Sequence, residues 1–562
     1  MNERKVLLSL GYSATRTTKG MMYQKTYQSA DQCFDIELDT SRLSSGQLPA
    51  AKLVGFPPEL AGQAVPHISG GHFCYVNGET LSWSPLDIDE TLTLVDIMIQ
   101  RTVDVVTSRK WEGEYDGEFI NYWCGKKELF LLTKTTDNPH SLMCHDLVRN
   151  QYKEKPDREI VVSSDYSLFD EWRTARNGEY EGSRFPAVSV RVTPSMPLGS
   201  DWPPANFKEL LTWLKKADHN AHNVLTSRLA DKLRGTKKTK ILCLVSTGDG
   251  GDFGWVLHYN NKVAGFFKTM RHNISTRIAA ERLSSKRWLE KMERANVQYT
   301  DPEFITTRNL PAGVKSLSGL KIALIGAGTI GGFAAKMLVD VGAGTSNGSL
   351  TVFDSDEMKT ANLGRHILSA QFVGDLKSVA LARYLRTVFP YPVNIRPETD
   401  WNMSQNHLQN YDLVLDATGR EPLSLLLSNS FHQLKAHRPT CRTKLIHVWI
   451  DGGGHVVRGL LDSAKRGQAC YGCINEETHP VMPPNKPLDK GLVFSQQCGA
   501  TYTPYPSGTS QAAAALAQTL ALESRKERAS VTYQQIAITD KPTNKRPQVL
   551  KKAHICRIKS HA

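Results

Sequence analysis

One stretch constrains the fold more than any other: Lys321-Ile-Ala-Leu-Ile325, then Gly326-Ala-Gly328-Thr-Ile-Gly331, then Phe333, Met337, Leu338 and Val341. A short apolar run of strand type passes directly into GxGxxG and from there into helical spacing. In that context the first glycine permits a tight turn, the second lets an anion approach the main chain, and the third lets helix pack on strand. Amides at the helix N-terminus then face a phosphate. Residues 350–353 read as a second strand, followed by Asp354, a carboxylate placed for a ribose hydroxyl. Gly326, Gly328, Gly331 and Asp354 are therefore the expected nucleotide ligands. To this point an NAD(P)-dependent oxidoreductase fits as well as an ATP enzyme.

The residues that follow separate the two. Asp354-Ser-Asp356 leads to Asn362-Leu-Gly-Arg365-His366 and then to Gly374-Asp-Leu-Lys377. An amide, a guanidinium and an ammonium fall within one short stretch after the ribose strand. Hydride transfer needs no such cluster. Cleavage of ATP between its α- and β-phosphates does, because charge accumulates on the α-phosphate and the departing pyrophosphate. Strand and helix patterns alternate from 320 to 525, as in a doubly wound parallel sheet.

The ordered motifs GAGTIG, VFDSD, NLGRH, GDLK and DLVLDATG resemble the ubiquitin-activating-enzyme superfamily. That group includes the ThiF-like sulfur-carrier adenylyltransferases of thiamine and molybdopterin synthesis. The resemblance implies an α/β, Rossmann-like adenylation domain that uses ATP and magnesium. It puts Asp354 on the ribose and Asn362, Arg365 and Lys377 around the phosphates, with Asp356 a further cofactor-binding residue and Arg365 and Lys377 serving catalysis. The family carries a second, magnesium-holding acid in a pattern like DCTDN. Here the stretch reads Asp416-Ala-Thr-Gly419-Arg420, which leaves Asp416, or Glu421, to take that part. Arg308 is the candidate for an arginine that the family carries upstream of the glycine loop.

Of the ten cysteines, Cys470-Tyr-Gly-Cys473 has the spacing of half a zinc site. The superfamily often completes it near the C-terminus, where this chain offers His554-Ile-Cys556; the alternatives are a zinc site of Cys470, Cys473, His554 and Cys556 and a vestigial pair without metal. Cys498 precedes a small-residue helix pattern at 511–522, a setting in which a thiol can be exposed and acidified. The resemblance makes it the acceptor of the acyl group. Near the N-terminus, Pro66-His67-Ile-Ser-Gly-Gly-His-Phe-Cys74 is followed by Trp83-Ser-Pro85 and by Ile88, Leu92, Val95, Ile99 and Val103 at helical spacing. Asp87 and Asp89 suit the N-terminus of that helix. This segment is similar to the active-site region of ubiquitin-conjugating enzymes, which implies that Cys74 is a second acceptor. Where that family has His-Pro-Asn this chain has Pro66-His67-Ile68, so oxyanion support falls to His67 or Asn77.

Together these patterns resemble bacterial fusion enzymes of CBASS anti-phage and related ubiquitin-like operons. The organisation implied is an α+β ubiquitin-conjugating-like domain over 1–150, a connection over 151–185, a middle α/β domain over 186–305 of inactive adenylation-like kind, and the ThiF-like domain over 306–562. In the middle domain a helix is predicted at 207–214, a strand at 240–245 and a long charged helix at 274–296. A protein partner's C-terminal glycine would be adenylated, passed to Cys498, then to Cys74, and finally to a target lysine. The partner implied is a cGAS-like nucleotidyltransferase or a ubiquitin-like protein, and such domains commonly form homodimers. A sulfur-carrier adenylyltransferase, which needs only the C-terminal domain, is the alternative beside the oxidoreductase.

At 562 residues the chain exceeds one core. No apolar run approaches the roughly 20 residues that span a bilayer, and no secretory signal is evident, so a cytoplasmic protein without a membrane partner is expected. The formal charge of +13 reads as a basic surface spread over several domains, with no specific nucleic-acid partner.

Overall fold

Alternation along the N-terminal strands decides which face is buried. In Gln32–Asp39, Phe34, Ile36 and Leu38 are fully buried while their neighbours are at least partly exposed. The computed structural model describes the chain except residues 1–2, 18–19, 61–64, 70, 77–81, 109–122, 124, 136–139, 151–155, 193–202, 236–238, 248–250, 270–273, 390, 392, 452–453, 475–493, 497–499, 503, 539–544 and 562. The first sheet has the order Ser13–Thr17, Gly20–Ser29, Gln32–Asp39, Ala50–Gly55, His72–Phe73, Ile68–Ser69, with antiparallel neighbours throughout. The predicted amphipathic helix is Ile88–Ser108, and Leu92, Val95, Ile99 and Val103 of its expected face are fully buried against this sheet. Asp87 Oδ1 accepts the Glu90 amide at 3.1 Å and so starts the helix, while Lys25 Nζ pairs with Asp96 at 2.7 Å and ties helix to sheet.

A closed barrel follows, made of Gly178–Arg191, Lys240–Ser246, Asp252–Tyr259, Leu289–Tyr299, Lys127–Leu131, Asp157–Ser163 and Met143–Arg149 in that order. The predicted helix and strand of this region are present as Phe207–Ala217 and Lys240–Ser246. Three expectations change. Met143–Arg149 pairs antiparallel with Asp157–Ser163, so the boundary expected at 150 falls inside a sheet. The expected connection supplies a strand, the helix Ser167–Arg176 and the start of Gly178–Arg191. The long charged helix at 274–296 is instead a short helix, Thr276–Leu283, and a strand, Leu289–Tyr299. Ser284 and Ser285 end the helix: the Ser284 hydroxyl donates to the Ala280 carbonyl at 2.7 Å, and the Ser285 carbonyl accepts from Trp288 and Leu289. The charges that read as a solvated helix face make cross-strand pairs, with Glu293 taking both His258 and Lys127.

The C-terminal unit carries a sheet of eight strands in the order Ile395–Glu398, Ser349–Phe353, Lys321–Ile325, Leu413–Asp416, Lys444–Asp451, Val456–Asp462, Tyr533–Ala537, Lys545–Gln548. The first five are mutually parallel and the last three join antiparallel. The run Lys321–Ile325 is buried on both faces. Ile322 and Leu324 belong to the core built with Thr329–Asp340, Lys377–Val388 and Ser507–Glu523, whereas Ala323 and Ile325 pack with Glu421–His437. This is the doubly wound domain expected. The chain leaves Lys321–Ile325 in one direction and returns on its other side with Leu413–Asp416, so strand order reverses there and a crevice opens at the strand C-termini. No described helix is long and apolar enough to cross a membrane.

Candidate active site

At that crevice the glycine loop turns. Gly326 has φ +93°, and a Cβ there would meet Thr418 Cγ2 at 3.2 Å. A Cβ on Gly331 would lie 1.8 Å from the Gly326 carbonyl oxygen, so helix and loop approach as closely as the sequence pattern implies. A Cβ on Gly328 meets nothing within 4 Å; the open space there is what a phosphate would need.

The residue between the first two glycines is held from both sides. Asp354 Oδ2 accepts the Ala327 amide at 2.6 Å, and its Oδ1 accepts the Asp356 amide at 2.8 Å. Each carboxylate oxygen keeps a second lone pair for a ribose hydroxyl. On the other side His366 Nδ1 accepts the Leu368 amide at 3.1 Å, so its Nε2 carries the proton and donates to the Ala327 carbonyl at 2.8 Å. His366 belongs to the NLGRH motif but has no role in the reading of that motif; its burial is what reveals one. Burial pushes its pKa below the usual imidazole range and outweighs the bond to Ala327.

A cleft of about 350 Å³ opens beside the loop, lined by Gly326, Gly328, Asp354, Asp356, Lys377, Asp400 and Arg420 among polar and glycine positions, with Trp401 and Met403 on its apolar side. Lys377 opens the helix Lys377–Val388, is 9% exposed, and its Nζ lies 3.0 Å from Asp356 Oδ2. That hydrogen bond holds the Asp356 carboxyl below its ordinary range. Asp400, Trp401 and Arg420 also line the cleft; they follow strand ends rather than motifs and carry no sequence signal of their own. Arg365 lies with its Cζ 5.1 Å from the centroid of the Tyr505 ring, near Thr329, the first residue of the glycine-loop helix. Asn362 is half-buried and its Oδ1 accepts the Lys359 amide at 2.9 Å, which fixes the short turn that carries Arg365 and His366.

Asp416 differs from expectation. It is 1% exposed, and four donors fill its two oxygens: the Thr418 amide (3.1 Å), the Thr418 hydroxyl (2.7 Å), the Ser424 hydroxyl (2.5 Å) and His447 Nδ1 (2.9 Å). Burial alone would raise its pKa, but the bonds from His447, Ser424 and Thr418 prevail and hold it low. With its lone pairs taken it is a brace that seats Thr418 against Gly326, and not a nucleotide or magnesium ligand. Glu421 is engaged by Arg557, and Arg308 sits over the Phe304 ring at 5.6 Å. The acids left in the cleft for a divalent cation are Asp356 and Asp400.

On the face of the sheet that Glu421–His437 covers, the CxxC is brought together with the C-terminus. Cys470 Sγ lies 3.8 Å from Cys473 Sγ and 3.4 Å from Cys556 Sγ, and His561 Nδ1 lies 3.4 Å from both Cys473 and Cys556. The edges of a tetrahedron around zinc, with bonds of about 2.3 Å, are roughly 3.8 Å. His561 Nε2 meets the Gln468 carbonyl at 3.0 Å, the outer bond that leaves Nδ1 free to ligate. The fourth member is thus His561 and not His554, which is exposed. The spacing from Cys556 to His561 is the signal that identifies it. Cys74 is exposed; its amide donates to the His67 carbonyl at 2.7 Å, and His67 holds φ +64°. A cleft of about 540 Å³ beside it is lined by Leu48, Pro49, Phe73, Tyr75 and Trp83. Cys498 and Asn77 lie outside the described residues.

Two outcomes follow from this geometry. The neutral His366 ring stabilises the loop fully above the free imidazole pKa of about 6.5, and that contribution is lost as pH falls through the lowered folded value. Thermal unfolding of His366→Ala should show a loss of about 1–3 kcal/mol near neutrality that shrinks on acidification; a gap constant with pH would contradict the assignment. Elemental analysis should find close to one zinc per chain in the wild type and in His554→Ala but little in His561→Ala. The reverse would contradict the ligand set.

The ThiF family model matches residues 306–556. The ATP-dependent ubiquitin transferase-like protein Cap2 of Escherichia coli (strain TW11681) is 30% identical over 94% of this chain and 94% of its own length. Cap2 of Vibrio cholerae serotype O1 (strain N16961) is likewise 30% identical, over 97% of this chain and 94% of its own. A solved structure, E. coli MccB with ATP, covers 43% of this chain and 67% of that one at 16% identity and a TM-score of 0.31. Identity sustained across nearly both full lengths, with a glycine-loop cleft inside the ThiF match, places the chain in the family of ATP-dependent ubiquitin transferase-like Cap2 proteins.

Proposed function

We propose that this ATP-dependent transferase activates the C-terminal glycine of a protein partner and carries it through two cysteines to a lysine. The partner's carboxylate oxygen attacks the α-phosphorus of ATP, the bond to the bridging oxygen breaks, and pyrophosphate leaves. The Cys498 thiolate then attacks the acyl carbon and AMP departs with the electron pair. Cys74 thiolate displaces Cys498 in the same way, and a neutral lysine amine finally displaces Cys74 to form an amide. Thiolates suit each exchange because they both attack and leave readily.

The observation that carries the reading is the cleft in which the glycine loop, Asp354 and the Lys377 ammonium meet. Asp354 would hold the ribose. Lys377, with Arg420 on the same cleft and Arg365 by the loop helix, would oppose charge building on the phosphates. Magnesium, when bound, would neutralise phosphate oxygens, with Asp356 and Asp400 to hold it. Zinc would fasten the C-terminus to the CxxC turn through Cys470, Cys473, Cys556 and His561. The oxidoreductase alternative does not fit the family. A sulfur-carrier adenylyltransferase leaves the N-terminal half, over which the Cap2 relatives also align, without a part. The partner fits a ubiquitin-like protein or cGAS-like nucleotidyltransferase, and the setting anti-phage defence.

Incubation of the full chain with Mg·ATP and a glycine-ended partner, resolved on non-reducing gels, tests the order of transfer. Cys74→Ala should retain one thiol-sensitive adduct and lose lysine ligation. Cys498→Ala should lose every thioester. Undiminished adduct in Cys498→Ala would overturn the assignment of the first acceptor.

A further inference from the structure

We infer that Tyr505 is a positioning residue for Arg365: an aromatic platform that orders the guanidinium beside the phosphate-facing end of the glycine-loop helix. This rests on the reading of Arg365 as a phosphate ligand. Three observations fix the platform. The Arg365 Cζ lies 5.1 Å from the Tyr505 ring centroid, within the range of a cation–π contact. The Tyr505 hydroxyl lies 3.3 Å from Thr329 Oγ1, at the first residue of the helix that follows the loop. The root of the ring is walled, since a Cβ on Gly454 would come within 2.7 Å of Tyr505 Cβ.

The attachment is firm. Tyr505 precedes the helix Ser507–Glu523 by one proline, and that helix shares a core with Thr329–Asp340. Gln518 Nε2 also donates to the Met337 carbonyl at 2.6 Å, so the two helices are tied along their length. Platform and phosphate-facing amides are therefore parts of one body. An aromatic ring attracts a guanidinium through its quadrupole without itself taking up an N–H donor in a conventional hydrogen bond. Ordering a long side chain before the ligand arrives removes part of the cost of binding. Tyr505 thus acts on ATP affinity through Arg365 and should not affect recognition of the nucleoside.

Calorimetric titration of the full chain with Mg·ATP and, separately, with adenosine tests this. Tyr505→Leu should weaken ATP roughly fivefold and leave adenosine unchanged, while Tyr505→Phe and Tyr505→Trp, which keep a ring, should bind ATP within about twofold of wild type. Equal weakening of ATP and adenosine in Tyr505→Leu, or none in either, would overturn the inference. If Tyr505→Leu does not fold, ATP affinity across the Trp, Tyr and Phe variants decides: a rise toward Trp supports the platform, and no trend refutes it. Arg365→Ala separates the two levels. Should it leave ATP affinity intact, the phosphate role of Arg365 fails and the platform with it; should it weaken ATP while Tyr505→Leu does not, the platform alone fails.

Discussion

The peptide at Ala327 is gripped at both its polar groups, the amide by Asp354 and the carbonyl by His366. Gly331 lies against Gly326 so closely that no side chain fits between them. Together these contacts set the turn of the loop, with the Gly326 amide held by the Phe353 carbonyl and the Ala327 amide by Asp354, and the helix Thr329–Asp340 starting directly after it. A third support comes from beneath, where Asp416 seats Thr418 under Gly326. His366 and Asp416 are buried polar groups and Asp354 is half-buried, so losing one of these braces leaves its partner short of a hydrogen bond. A loop and helix N-terminus fixed in this way would need no rearrangement as charge develops on a bound phosphate.

The same logic shows why Asp416 is not a ligand. A carboxylate with four donors has nothing left for a metal, and the chain instead brings Asp356 and Asp400 to the cleft. Asp356 is paired with Lys377, so the acid and the ammonium can each be handed to a divalent cation and a phosphate without leaving a lone buried charge.

The doubly wound domain was legible because its signals are local: an apolar strand, glycines at fixed spacing and a helix, all within about 20 residues. The helix Ile88–Ser108 was legible for the same reason. The barrel was not. Its strands from Lys127–Leu131 to Leu289–Tyr299 come from widely separated stretches of sequence and several are mixed in polarity, so pairing rather than periodicity defines the barrel. Lys377 and the cysteine pair were recognisable from spacing, and the short interval from Cys556 to His561 is a signal of the same kind, while Asp400, Arg420 and Tyr505 reach their places through long-range packing that no local pattern encodes. The misread helix at 274–296 shows the same limit, for charge that pairs across strands is indistinguishable in sequence from charge that faces water.

In the proposed pathway adenylation precedes any cysteine chemistry, and the later steps follow from it. Isotope exchange between pyrophosphate and ATP isolates it, with a partner that forms the thioester adduct present. Exchange should persist in the Cys498→Ala/Cys74→Ala double variant and fall by at least about tenfold in Lys377→Ala, as removal of a fixed cation at a phosphate implies. Exchange that required either cysteine, or that was indifferent to Lys377, would contradict the account.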